Sequence, residues 1–188
     1  MAKSRFDYRS KSAFKKDIKQ SSIEEAEIAI RIAVDISERL GFWTDIIPFG
    51  TDYTGEFKKD VNHVNLEPDY IICGVPIEIT RSKNICHTYF HEKVAKTNFC
   101  IKNNYEMCFV NGFKLDNPKY IMINSEQLKT FTQLALLTYG KIKHYHSGSK
   151  PCYKYNIKWF DGLWRDLPPI PNDIPKNYRS ILKDVKCQ

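Results

Sequence analysis

The sequence predicts an α/β fold, a mixed β-sheet flanked by helices, built as one domain with appended termini. Three observations predict it. Residues 22–40 form a helix with a start and a stop signal: Ser22 with Glu25 has the form of a capping box, and Gly41 ends the segment. Residues 65–80, NLEPDYIICGVPIEIT, hold two short apolar runs broken at Gly74, as adjacent strands around a turn would. The whole order then reads helix, strand, hairpin, helix, strand, strand, helix, which suits a sheet covered by helices.

The elements follow in chain order. Residues 1–21 are a basic N-terminal arm with Lys3, Arg5, Arg9, Lys11, Lys15, Lys16 and Lys19. Such charges suit a DNA backbone, because cations displace its condensed counterions; a solvated leader explains them equally well. In the first helix, Ile23, Ala26, Ile30, Ala33 and Val34 recur at helical spacing and make one apolar face. Glu24, Glu25 and Glu27 crowd its first turns, where the helix dipole favours carboxylates. Glu27 lies nearest the edge of the apolar face. Phe42 to Ile47 reads as the first strand. Residues 50–66 are a polar connection with Lys58 and Lys59, longer than most.

After the hairpin, residues 81–88 are a loop and 89–104, YFHEKVAKTNFCIKNN, read as a helix. Phe90 and Val94 face the core, with Lys93, Lys96 and Lys102 on another side. Tyr105 to Asn111 and Tyr120 to Asn124 are strands. Ser125 caps a helix that runs to Tyr139 and stops at Gly140. Residues 22–140 thus form the core. Residues 141–188 change texture, with Trp159, Phe160 and Trp164 among prolines and lysines. They read as an aromatic and proline-rich C-terminal extension packed on the core. The mixture of His144, His146, Lys150, Tyr153, Lys154, Tyr155 and Lys158 also suits a phosphate-backbone surface.

Composition narrows the partners. The chain has 188 residues, 42% of them hydrophobic, which is enough for a core. No apolar stretch approaches a membrane span, and the basic N-terminus has no apolar run after it, so no secretory signal is read. Six cysteines without a CxxC pair are expected as reduced thiols in an intracellular, cytoplasmic protein. Cys86, His87, His91, Cys100 and Cys108 lie close in sequence, but their spacing matches no compact zinc motif. The formal charge of +7 favours phosphate-rich partners over basic ones.

The chemistry concentrates in the hairpin. Ile77 and Ile79 pack one face, so Glu78 and Thr80 point to the other. Asp69 stands where the preceding strand begins. Two carboxylates on neighbouring strand ends suit Mg²⁺, which takes one or two protein carboxylates and completes its shell with water and phosphate. The bland account is an Asp that starts a strand and a Glu on a solvated face.

Pro68-Asp69, eight intervening residues and then Glu78-Ile79-Thr80 resemble the core motif of the PD-(D/E)XK nuclease superfamily, over roughly residues 22–124. The resemblance implies a restriction-endonuclease-like core and a metal-dependent DNA endonuclease of homing, restriction-like or recombination type. By similarity, Asp69 and Glu78 hold Mg²⁺, with Mn²⁺ as a substitute, and the Ile79 carbonyl is a further ligand. A glutamate on the first core helix assists in this superfamily; Glu27 is the first candidate, with Glu24 and Glu25 as rivals. The superfamily usually has lysine two residues after the glutamate, where this chain has Thr80. Phe90-His91-Glu92-Lys93-Val94-Ala95-Lys96 is similar to a phage-type variant in which the following helix supplies the lysine. The preference runs Lys96, then Lys93, then Lys83. The resemblance also implies a phage-encoded protein acting in a host cell, and a double-strand cut would need a homodimer or two sequential nicks. Two non-catalytic accounts stand beside it. One is a nuclease fold that has lost activity and serves in nucleic-acid binding or assembly, with Thr80 as the symptom. The other is a zinc-stabilised structural protein.

Overall fold

The first helix is longer than its capping signal suggests. In the computed structural model, which describes residues 11–49, 67–143 and 151–187 (backbone alone at 11–18, 143 and 187), α1 spans Lys11–Leu40. Ser22 is buried in its interior and does not stand at the helix start. The upstream residues KSAFKKDIKQ contain neither Gly nor Pro, so nothing stops the helix from extending. Side-chain bonds one turn apart, from Ser21 Oγ to Glu25 Oε1 at 3.1 Å and Gln20 Nε2 to Glu24 Oε1 at 3.2 Å, take the place of the capping box. The other end agrees with the sequence. Gly41 has φ +77° and its N–H donates to Ser37 O, a left-handed stop that a side chain would strain. Of the basic arm, Lys3, Arg5 and Arg9 lie outside the described residues.

The chain divides into two compact units, Met1–Ile77 with Leu167–Gln188, and Glu78–Asp166. Both contribute to an α/β fold with a mixed β-sheet and four flanking helices among the described residues.

In the first unit, β1 (Ile46–Pro48) pairs antiparallel with β2 (Tyr70–Ile72), and β2 with the start of β3 (Val75–Arg81). The strand expected from Phe42 is therefore only three residues long, and Phe42 and Trp43 are exposed. The hairpin turn sits one residue earlier than Gly74-Val75. Ile72 stands opposite Val75, and Cys73 and Gly74 both have positive φ, at 53° and 76°. That is the signature of a two-residue type I′ turn, whose twist matches the strands it joins. The helix α4 (Lys176–Cys187) turns Tyr178, Ile181 and Val185 inward and packs on α1. Tyr178 Oη donates to Thr44 O at 2.6 Å, tying α4 to the chain between α1 and β1.

In the second unit the rest of β3 neighbours β5 (Glu106–Asn111), followed by β6 (Lys119–Ile123) and β9 (Arg165–Asp166). Just past the strand ends, Ser82 N–H donates to Val110 O, Phe113 N–H to Ser82 O and Lys114 N–H to Lys83 O. These partners advance together along both segments, so β3 and β5 run parallel. A parallel neighbour needs a crossover, which β4 (Tyr89–Lys93) and α2 (Val94–Asn103) provide. Residues 89–104 are thus a strand and a helix, and the single helix expected there is corrected. The cause lies about 60 residues away, in β8 (Pro151–Asn156), which pairs with β4 and holds Phe90 and Glu92 inward on alternating positions. With β7 (Ile142–Lys143), these strands form a second sheet in the order β4-β8-β7.

The helix α3 (Ser125–Tyr139) is capped by Asn124, one residue earlier than expected; Asn124 and Gln127 make the reciprocal capping box. The core of this unit gathers Phe90, Met107, Phe109, Ile121, Leu128, Tyr155 and Phe160. Phe160 lies 4.9 Å from Phe131 and 5.7 Å from Phe109 between ring centroids, so part of the expected extension is core. Among the described residues, no helix is long and apolar enough to cross a membrane.

Candidate active site

Strand alternation decides which side chains of β3 can act together. Glu78 and Thr80 are two residues apart and project to one face, while Ile77 and Ile79 project to the other. Glu78 is 2% exposed. A carboxylate taken that far from water needs a compensating charge, and Lys96 supplies it: the Lys96 ammonium forms an ion pair with Glu78 Oε1.

Lys96 reaches Glu78 because α2 starts where it does. Lys93, the residue before the helix, is extended, with φ −61° and ψ 131°. That places Lys96 in the first helical turn. The Lys93 N–H donates to Glu92 Oε1 at 2.8 Å, so a carboxylate sits at the positive end of α2. The other Glu92 oxygen, Oε2, accepts the hydroxyl of Thr80. Further along, Tyr153 Oη donates to Asn98 Oδ1 at 3.0 Å and Tyr155 Oη to Thr97 Oγ1 at 3.5 Å. Tyr155 also shares a 2.9 Å bond with Thr132 on α3. Burial pushes the Tyr155 hydroxyl well above the usual tyrosine range, so it stays protonated and works as a fixed tether.

The second unit therefore holds four polar side chains in two linked pairs, Glu78 with Lys96 and Thr80 with Glu92. Glu78 and Lys96 were legible as candidates. Glu92 was missed, because a helical reading of residues 89–104 gives it no reason to face inward. Alternation in YFHEK, with Phe90 and Glu92 on one side, was the available signal.

The remaining candidates lie elsewhere. Lys93 ends β4 on the face opposite Phe90 and Glu92, half-buried, and stands across from Cys152 of β8. Lys83 is exposed in the loop after β3. His91 shares the Tyr89 face of β4, His87 is exposed, and His63 lies outside the described residues, as do Lys58, Lys59, His144, His146 and Lys150.

In the first unit Asp69 is half-buried just before β2. Its backbone is fixed on both sides: its N–H donates to Ile77 O at 3.0 Å and its O accepts from Phe49 N–H at 2.9 Å. Glu27 is half-buried one turn from Arg31, whose guanidinium bonds Leu167 O at 2.6 Å and Pro168 O at 2.5 Å. Burial pulls Arg31 below its usual value, and Glu27 opposes that shift. Glu24, by contrast, is 1% exposed, and Glu25 is half-buried beside Ser21. Of the three helix carboxylates, Glu24 is the one turned into the protein.

As donors, the carboxylates of Asp69 and Glu78 and the carbonyl of Ile79 are hard oxygen ligands. They suit Mg²⁺, which needs few protein ligands. Among the described residues no three His, Cys, Asp or Glu side chains gather where they could hold a metal ion. Cys100, Cys108 and Cys152 are buried, Cys86 is half-buried and Cys73 is exposed, all as free thiols. Comparison with family models, with curated proteins and with solved structures found no match for this chain.

Proposed function

We propose that the protein is a Mg²⁺-dependent DNA endonuclease with a restriction-endonuclease-like core, hydrolysing phosphodiester bonds. The observation that carries this reading is the buried pair of Glu78 and Lys96. An ion pair out of water is weak evidence for stability, because the desolvation of both charges offsets their attraction. A lysine delivered from the following helix to the motif glutamate is what a nuclease with threonine at the strand-lysine position requires. The element order adds support: α1, β1, the β2–β3 hairpin, then a crossover through α2 to the parallel strand β5.

In this reading Asp69, Glu78 and the Ile79 carbonyl would hold the metal. Mg²⁺, when bound, supplies a Lewis-acid charge that makes water more acidic and offsets phosphate charge. The Lys96 ammonium has three donors and uses one or more on Glu78. It stabilises negative charge that builds on the phosphate oxygens in the transition state. Because Glu78 fixes the ammonium beforehand, no reorganisation is needed at the moment of reaction. Lys93 and Lys83 are the weaker lysine candidates. Glu27 is the first candidate for the assisting helix glutamate, with Glu24, the buried one, and Glu25 as rivals.

The test is cleavage of supercoiled plasmid and of linear single-stranded DNA with Mg²⁺ or Mn²⁺, alongside Asp69→Ala and Glu78→Ala. The expected result is metal-dependent cleavage by the wild type that both substitutions abolish. A wild type that binds neither ion and cuts no DNA overturns the enzyme and leaves a nuclease fold used for nucleic-acid binding or assembly.

A further inference from the structure

The nuclease reading leaves a buried acid unexplained. Glu92 is 8% exposed, yet it does not pair with Lys96; its two oxygens take the Thr80 hydroxyl and the Lys93 N–H. Thr80 has a single hydroxyl proton, and that proton points at Glu92. Toward every other neighbour Thr80 Oγ1 can only accept. Thr80 is half-buried and shares its strand face with Glu78, two residues away. The hydroxyl thus joins two things: an acceptor on the strand face of Glu78, and an inward path to a carboxylate.

We propose that Thr80 and Glu92 form a proton relay that activates the attacking water, with Thr80 touching the water and Glu92 positioning Thr80 and receiving the proton through it. This inference rests on the nuclease reading and assigns a role to the residue where that reading expects lysine. The water oxygen bonds to phosphorus as the bond from phosphorus to the leaving oxygen breaks, and the leaving oxygen takes a proton from solvent. The proton of the attacking water passes to Thr80 Oγ1 while the Thr80 proton passes to Glu92 Oε2. The relay resets by the reverse path, onto a new water. The two jobs of a strand lysine are then divided: Lys96 supplies positive charge and the Thr80–Glu92 pair handles the water. The Lys93 N–H at the start of α2 keeps Glu92 turned toward Thr80 in each turnover.

A purely structural role predicts different mutant behaviour. Glu92→Gln keeps the shape and an oxygen that can accept from Thr80, but it cannot take a proton. Thr80→Val keeps the shape and removes the hydroxyl; Thr80→Ser keeps the hydroxyl. The experiment measures kcat and KM for Mg²⁺-dependent DNA cleavage by wild type and these variants, with Mn²⁺ affinity by calorimetry and thermal unfolding beside them. The relay predicts that Thr80→Val and Glu92→Gln each lower kcat by about 10²-fold or more, with KM and Mn²⁺ affinity within about 2-fold, while Thr80→Ser keeps most of the rate. If either Thr80→Val or Glu92→Gln cuts DNA at the wild-type rate, the relay is wrong while the nuclease reading stands. A loss of Mn²⁺ affinity that accounts for the loss of rate also overturns the relay, since the residues would then act on the metal. A wild type without metal-dependent cleavage overturns both.

Discussion

Replacing Lys96 by methionine tests the pair on which the functional reading rests. The change removes the ammonium and keeps a long apolar stem. The Glu78 side chain is only 3% exposed, so its carboxylate cannot turn to solvent for compensation. Breaking a buried pair from one side costs about 3–5 kcal/mol, because it strands the other charge. The Lys96 side chain is 14% exposed and flexible, so Glu78→Met strands an ammonium that can move toward water. That variant loses less, about 1–2 kcal/mol, within the range for an unsatisfied group. With both replaced, no stranded charge remains, and the double mutant lies near the level of Glu78→Met alone. The cycle then yields a coupling energy equal to the cost of Lys96→Met, about 3–5 kcal/mol, which starts at the upper end of the range for residues in contact. For a chain of this size Lys96→Met should lower Tm by roughly 10 °C, at about 2–4 °C per kcal/mol. Urea unfolding followed by tryptophan fluorescence suits the assay, because Trp159 and Trp164 pack against the core of the same unit. A loss below about 0.5 kcal/mol for Lys96→Met, with no coupling beyond the usual additivity error, would show that the pair does not form in solution.

Three further outcomes follow from the same structure. Tyr155→Phe removes the hydroxyl that ties β8 to Thr132 and Thr97, both buried; it should cost about 1–2 kcal/mol in urea unfolding without changing the fold seen by circular dichroism. Arg31→Met loses the bonds to Leu167 O and Pro168 O, and because the side chain is only half-buried the expected loss in the same assay is about 1 kcal/mol. Burial raises the Glu106 carboxyl above its ordinary value near 4.5. Its protonated form is therefore favoured in the folded state, and the stability this gives at low pH is lost as pH rises through the raised value. Glu106→Gln should accordingly be slightly more stable than wild type at pH 7, by less than about 1 kcal/mol given its partial exposure, and the difference should vanish near pH 4; unfolding midpoints at both pH values check it.

Local signals carried most of the fold. The hairpin, the strands around Met107 and Ile121, and the α3 helix with its Gly140 stop are all stated by periodicity and turn residues close in sequence. What local reading could not give is what distant segments decide. Residues 89–93 are a strand because β8 pairs with them, and the short alternation of Phe90 and Glu92 is too weak to outweigh the helical spacing of Phe90 and Val94. The Ser22–Glu25 pattern was misleading for a different reason, since S-x-x-E also fits the interior of a helix when no breaker precedes it. The site divides in the same way. Glu78 follows from strand alternation, and Lys96 from the resemblance combined with its place in the chain. Glu92 depends on the strand that was read as helix. Glu24 and Glu27 differ by three residues on one helix, and only the packing of its neighbours turns Glu24 inward and leaves Glu27 beside Arg31.

The most direct measurement compares single-turnover DNA cleavage by Lys96→Met and Lys93→Met, with Mg²⁺ and the same substrate. The account predicts that Lys96→Met slows cleavage by about 10²–10³-fold, as expected for a preorganised charge aimed at the transition state, while Lys93→Met stays within a few-fold of wild type. Cleavage that survives Lys96→Met and collapses in Lys93→Met would contradict the assignment of Glu78 and Lys96 as the catalytic pair.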